Sequence, residues 1–434
     1  MVSTDDKTDS LVEKDKKCIW HPFTQMQTTR PPILISHAKG AYLYGPDGRA
    51  YLDGIASWWV NLHGHAHPYI SKKIREQAEK LEHVIFADFT HAPAIELAAR
   101  LLPLLPGNMS RIFYTDNGST AVEAAIKMAI QYWYNRDSNT RKTKVIGFRN
   151  GYHGDTFGAM SVAGKNGFNQ PFWKHLFEIE CIDPPVEGKE EQSLAQLQAI
   201  LEKEGAAGLI FEPLIMGAGG MVIYPAAGLD RLLKLCHRYG VLTIADEVMT
   251  GFGRTGTLFA CDQLDEAPDI ICLSKGITGG FLPLGATACK EEIYKAFLGN
   301  TLQQAFLHGH SYTANPLACS SALASLDLLQ LDMCSRQRAM IAACHAQFCE
   351  KWRGHPKLRR CESLGTVLAL EYHSESSHSY FLPFGKRLYN FFLEKEVILR
   401  PLGNVLYVLP PYCILEAELH LIYDHIESTL EGDL

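Results

Sequence analysis

With 434 residues, 47% of them hydrophobic and 21% charged, the chain is long enough for two domains around a shared cleft and too ordinary in composition for a disordered or fibrous protein. A formal net charge of -7 argues against a nucleic-acid or anionic-membrane surface as its main function. The 12 cysteines, spread from Cys18 to Cys413 without a Cys-x-x-Cys pair, read as reduced thiols in a reducing compartment rather than a disulfide framework.

The first residues, MVSTDDKTDSLVEKDKKC, carry both signs of charge and no apolar stretch, so a mobile polar leader is expected rather than a signal or transit peptide. IWHPFTQM (19–26) follows as ordered but irregular chain. Residues 1–56 are taken as an N-terminal segment that joins the smaller domain. From about 90 to 330 helix and strand signals alternate, the pattern of an α/β sheet covered by helices, and 57–331 is expected to be the large domain. Residues 332–434 read as a smaller α+β domain, with a helix over roughly 335–353 and strands at 397–399 and 405–409. No apolar run approaches the roughly 20 residues of a membrane span, and a cytoplasmic enzyme is expected.

FYTDNGSTAVEAAIKMAIQYW (113–133) begins as a strand, turns through Asp116 to Ser119, then takes helical spacing, with Thr120 and Glu123 matching a capping box. Free amides at such a helix start make an anion site, although an ordinary capped helix has the same spacing. Three apolar runs, 208–211, 241–245 and 270–273, read as buried parallel strands. Their carboxyl ends place Glu212, Asp246 and Lys275 where ligands bind in open α/β sheets. A desolvated carboxylate at Asp246 needs a cationic partner, such as a protonated pyridine nitrogen. Lys275, 29 residues on, sits at an apolar boundary that lowers an amine's pKa and makes it a nucleophile toward an aldehyde.

Rival motifs stand beside these. Gly251 to Gly256 formally matches a dinucleotide fingerprint, but its glycines come several residues after the strand and TLFACDQL lacks an apolar helical face. His63, His65 and His67 alternate, and His308 and His310 flank Gly309, spacings that zinc tolerates. The glycine, alanine and proline among them indicate tight turns instead, and no metal is expected. Trp58 and Trp59 suit either a core or a pocket wall.

Together the segments resemble the fold-type I, class III aminotransferases, the group that includes ornithine and 4-aminobutyrate aminotransferases. ADEVMTGFGRTG and LSKGITGG carry the match to the class. WHPFTQM (20–26), DGIASWWVNLHGHAHP (53–68), THAPAIELA (90–98), RNGYHGDTFGAMSV (149–162), HGHSYTANPLAC (308–319) and LRPLGNVLYVLPPY (399–412) extend it over nearly the whole chain.

The resemblance implies a pyridoxal 5'-phosphate (PLP) enzyme: a large domain with a mixed, mostly parallel sheet, a smaller α+β domain, and a homodimer whose active sites are shared between subunits. Lys275 would hold the cofactor as a Schiff base, Asp246 would pair with the pyridine nitrogen, and Tyr152 would stack on the ring. Gly118 and Ser119 would bind the phosphate, and Ser311 would reach the phosphate in the neighbouring subunit. Trp58, Trp59, Tyr152, Asp155 and Gly309 would line the substrate pocket, with Arg400 meeting a substrate carboxylate. The implied reaction turns 8-amino-7-oxononanoate into 7,8-diaminononanoate for biotin formation, with S-adenosyl-L-methionine as amino donor. Phe23 stands where many members have tyrosine, and Ser311 where they often have threonine, which leaves lysine open as the donor. Another ω-amino acid aminotransferase of the class and, more remotely, an NAD-dependent dehydrogenase are the alternatives.

Overall fold

Apolar runs without alternation belong where a strand is covered on both faces, and they form the centre of the fold. The structure, a computed structural model, describes residues 4–374 and 382–432. Its main sheet is seven-stranded. The strands are β1 (Met109–Thr115), β2 (Lys144–Phe148), β3 (Glu180–Ile182), β4 (Ala206–Phe211), β5 (Leu242–Asp246), β6 (Ile270–Leu273) and β7 (Gly285–Lys290). They lie in the order β1-β7-β6-β5-β4-β2-β3, and every pairing is parallel except the two made by β7. The mixed, mostly parallel sheet expected from the sequence is therefore present.

In the centre, Ile244 of β5 pairs with Ile210 of β4 on one side and Ile270 of β6 on the other, all three fully buried. The helix Gly118–Arg136 packs into the same cluster through Ala121, Val122, Ala125, Ile126 and Ala129. Its alanines let the helix approach the sheet closely. Burying each isoleucine contributes roughly 2 kcal/mol, which is how tertiary packing holds a helix that would be marginal alone. This register brings the carboxyl ends of β4, β5 and β6 to one edge, above which the chain turns through Glu212, Asp246 and Lys275.

Two smaller sheets complete the fold. His37–Lys39, Tyr42–Tyr44 and Ala50–Asp53 form an antiparallel meander that Val397–Ile398 joins in parallel, so residues near both ends of the chain meet. Leu358–Leu364, Val367–Tyr372 and Val405–Val408 form an antiparallel sheet, packed by the helix Asp332–Trp352, against which the helix Glu416–Glu431 lies. No single described helix is long and apolar enough to cross a membrane.

Two expectations are corrected. The expected mobile leader contains a helix, Thr4–Cys18, whose C-terminal part is supported by the 2.7 Å Lys16–Glu13 contact three residues apart. The capping box also lies one turn earlier than expected. Asn117 is the cap, accepting from the Thr120 N–H at 3.0 Å, and the Thr120 hydroxyl accepts from the Asn117 N–H at 3.2 Å. Asn117 is extended (φ -160) and can turn its amide back on the helix, which frees Glu123 to accept from the Gly158 N–H at 2.7 Å and the Ala159 N–H at 3.2 Å.

Candidate active site

The strand ends open into a cavity of about 490 Å³ lined by Lys275, Asp246, Tyr152, Trp59, Gly118 and Ser119, with His153, Glu212 and the 280–284 loop among its other walls. Lys275 comes two residues after β6 and opens a short 3-10 turn, Lys275–Thr278, with a left-handed backbone (φ 44). That turn aims its amine across the cleft, 4.4 Å from the centre of the Trp59 ring. Burial pushes the amine down to about 8, against the pull of Asp246 and Glu212.

Asp246 is 5% exposed. Its Oδ1 accepts from the Val248 N–H at 3.1 Å and its Oδ2 from His153 Nδ1 at 2.7 Å. Burial disfavours charge on the His153 ring, but the bond and the charge of Asp246, with Glu212 beyond, outweigh it and hold the imidazole above its ordinary value. Glu212 accepts from the N–H groups of Tyr152 at 3.0 Å and Gly217 at 2.8 Å, and burial raises its carboxyl to about 7. It therefore pins the loop that carries Tyr152 and His153. The Tyr152 hydroxyl donates to Asp155 Oδ2 at 3.1 Å, and burial raises that phenol first, with the charge of Asp155 second.

Across the cleft, the helix Gly118–Arg136 starts at Gly118 and Ser119, whose amides lie at the positive end of its dipole with no acceptor among the described residues. Two glycines keep this corner tight. A Cβ at Gly118 would meet Val248 at 2.8 Å, and one at Gly154, whose φ is +122, would lie 2.0 Å from Ser119 Oγ. The Ser119 hydroxyl accepts from the Asp155 N–H at 3.1 Å, which fixes it beside the helix start.

Trp58 and Trp59 sit in a turn whose residues Ala56, Ser57, Trp58 and Trp59 all have positive φ, between 47 and 75. Such a run is costly for residues with side chains, roughly 1 kcal/mol each, and needs external support. Fully buried Asp53 supplies it, accepting from the Ser57 N–H at 2.7 Å, the Ser57 hydroxyl at 3.0 Å, the Ile55 N–H at 3.1 Å and His65 Nε2 at 2.8 Å. Buried Arg254 adds bonds to the carbonyls of Pro410 at 2.7 Å, Asn61 at 3.1 Å and Trp59 at 3.4 Å. Trp58 then carries the Arg400 guanidinium 4.4 Å above its ring and Phe23 edge-on at 5.5 Å. Arg400 Nε is buried without a hydrogen-bond partner among the described residues.

Lys275, Asp246, Tyr152, Gly118, Ser119 and Trp59 thus share one cleft. Asp155 joins it through Tyr152, while Trp58 and Arg400 are tied to it through the chain beside Trp59. Gly309 and Ser311 are not among its lining residues. Sequence reasoning gave no role to His153, Asp53 or Arg254. A histidine next to Tyr152 and a buried-strand aspartate just before the tryptophan pair were the available signals. The Gly251–Gly256 rival lacks its helix: TLFACDQL contains only a 3-10 turn, Ala260–Gln263, and a Cβ on Gly253 would meet Arg338 at 2.5 Å. Those glycines make room for protein. His63 and His65 bond Ser325 and Asp53 rather than converging.

Comparison with known proteins agrees with this geometry. The family described as Aminotransferase class-III matches residues 23–430. An adenosylmethionine-8-amino-7-oxononanoate aminotransferase from Synechococcus elongatus is 46% identical over 421 residues, covering 95% of this chain and 98% of that protein. The crystal structure of the protein of the same name from Methanocaldococcus jannaschii superposes with a TM-score of 0.92 at 36% identity, covering 98% of this chain and 100% of that one. An amine transaminase from an uncultivated Pseudomonas species, solved with PLP bound, superposes at 0.87 with 30% identity, over 95% of this chain and 98% of that one. Matched over nearly its whole length in both sequence and fold, the chain belongs to the class III aminotransferases.

Proposed function

We propose that this aminotransferase uses PLP to convert 8-amino-7-oxononanoate to 7,8-diaminononanoate in biotin formation, with S-adenosyl-L-methionine as amino donor, and that it works as a homodimer. One observation carries the reading: Lys275, Asp246 and the free amides of Gly118 and Ser119 line a single cavity. An amine, a buried carboxylate and a helix start are the donor set that an aldehyde, a protonated pyridine nitrogen and a phosphate require. The tight corner at Gly118 and Gly154, where a Cβ would collide with Val248 or Ser119, fits a group that needs close backbone approach. The substrate and donor rest on the names of the Synechococcus and Methanocaldococcus relatives.

When bound, PLP supplies the electron sink that acidifies the carbon bearing the amine and carries the amino group between two half-reactions. The protein's own groups do the rest. Lys275, with its amine lowered to about 8, would hold the cofactor's aldehyde carbon and, when freed, would be neutral often enough near neutral pH to carry a proton at Nζ. Asp246, oriented by His153 and the Val248 amide, would hold the pyridine N–H and favour its protonated form. Tyr152 would pack against the ring, while Trp58, Trp59 and Asp155 would shape the substrate side. Arg400 binds the substrate carboxylate with a fork that already lacks a partner at Nε. Gly309 and Ser311 serve the neighbouring subunit. The exposed apolar side chains Leu307 (69%) and Tyr312 (64%), which flank them, support that dimer. Twelve free cysteines fit a reducing, cytoplasmic setting.

Lysine as donor is the second reading, favoured by Phe23, which packs on Trp58 without a phenol hydroxyl. The test mixes the PLP-loaded protein with S-adenosylmethionine and, separately, with lysine, and follows loss of the cofactor's visible band. The same samples then receive 8-amino-7-oxononanoate, and diamine is measured by mass spectrometry. Bleaching and diamine formation with S-adenosylmethionine alone support the proposal. Response to lysine alone moves the chain to the second reading, and response to neither overturns the substrate assignment.

A further inference from the structure

Far along the chain from the strand ends that build the cleft, the helices Asp332–Trp352 and Glu416–Glu431 pack together, and three different side chains converge where they meet. Ligand atoms of Cys344, Glu416 and His420 all lie within 4.8 Å of one another. Glu416 and His420 are one helical turn apart on the same face, with His420 Nε2 3.9 Å from Glu416 Oε1. Their side chains are 66% and 55% exposed, whereas Cys344, on the other helix, is 5% exposed. The cluster therefore has one fixed sulfur and two movable arms. An ordinary exposed pair would account for Glu416 and His420, but 3.9 Å is too loose to be worth much, and the Cys344 thiol beside them has only the weak acceptor Met340 Sδ at 3.8 Å.

Zinc bonds nitrogen and oxygen at about 2.0–2.1 Å and sulfur at about 2.3 Å, which sets tetrahedral ligand atoms roughly 3.4–3.7 Å apart. The ligand atoms lie within 4.8 Å of one another, so binding asks the two exposed side chains to close toward the buried sulfur. A thiolate, an imidazole and a carboxylate are a zinc donor set. Magnesium and calcium take oxygen alone. We propose that Cys344, Glu416 and His420 form a three-ligand zinc site, with water in the fourth position, that clips the helix Glu416–Glu431 to the helix Asp332–Trp352. On binding, the Cys344 thiol loses its proton to solvent as the zinc–sulfur bond forms.

The test uses holoenzyme freed of metal by dialysis against a chelator and titrated with Co²⁺. The expected result is one equivalent bound, with a thiolate charge-transfer band in the near ultraviolet and tetrahedral visible bands that Zn²⁺ displaces. Cys344→Ser abolishes the charge-transfer band. His420→Ala, a change at an exposed side chain, weakens binding at least about tenfold without touching transamination, and keeps the test readable if the serine variant folds poorly. Zn²⁺ raises the melting temperature of the parent but not of His420→Ala. Absence of the band, or a band that survives Cys344→Ser because it arises at another thiol such as exposed Cys18, overturns the proposal.

Discussion

His153 donates from Nδ1 to Oδ2 of Asp246 across 2.7 Å, while its Nε2 is buried without a hydrogen-bond partner among the described residues. The imidazole's task is therefore directed at one acceptor. A charge-assisted hydrogen bond of this kind is worth about 1.5–3 kcal/mol, so His153→Ala is expected to weaken PLP retention and turnover about 10- to 100-fold. Absorbance titration of the cofactor-free variant with PLP measures the first effect and steady-state kinetics the second. Unchanged values in both would remove His153 from the arrangement.

Lys275 gives a pH dependence of definite sign. The reacting amine must be neutral, so the rate at which the cofactor-free protein takes up PLP should rise with pH and level off above about 8, not near the ordinary lysine value of 10.5. The same shift acts on stability. Between about 8 and 10.5 the unfolded state keeps a proton that folded Lys275 has lost, so the stability of the cofactor-free protein rises with pH through this window. Stopped-flow uptake and urea unfolding across the range measure both. An uptake rate still climbing steeply above pH 9 would contradict the lowered value.

Gly154 makes the corner beside the helix start. Alanine there would be strained at φ +122 and would press its Cβ to 2.0 Å from Ser119 Oγ, so the serine must move off the start of the helix. Strain and overlap together are expected to cost about 2–4 kcal/mol, with PLP affinity falling at least about tenfold. Gly188→Ala is the control: its φ is +78, but a Cβ there meets nothing within 4 Å. It should lose only about 1 kcal/mol and leave PLP affinity unchanged. Equal loss of affinity in both variants would assign the effect to general destabilisation.

The central strands were legible because burial on both faces removes alternation from the sequence, leaving runs such as 270–273 bounded by polar residues. That Asp246 and Lys275 share a cleft followed from their places beyond adjacent parallel strands. The supports of the site were not legible. His153 reaches Asp246 from 93 residues away, Arg254 reaches Pro410 from 156, and Asp53 props a left-handed turn that no local propensity favours. Such bonds depend on tertiary placement, and nothing in residue spacing marks them. With Asn117 as the cap, Glu123 accepts the Gly158 and Ala159 amides across the fold, a tertiary contact that residue spacing does not mark.

Arg400 offers the most selective test of the substrate side. Its guanidinium lies 4.4 Å over the Trp58 ring with Nε unpartnered, so it is preoriented yet not neutralised through that nitrogen. A bidentate bond to a carboxylate is worth about 1.5–3 kcal/mol, and Arg400→Ala should raise the KM of the oxo acid substrate about 10- to 100-fold. The visible band of bound PLP should not change, because Arg400 is not among the residues lining the cavity that holds Lys275. Lysine at 400 should restore only part of the loss, since a point charge replaces a planar fork stacked on an indole. The methyl ester of the substrate separates recognition from packing: it should be handled poorly by the parent and no worse by Arg400→Ala. If acid and ester lose equally in that variant, Arg400 acts by holding Trp58 in place and the carboxylate is bound elsewhere.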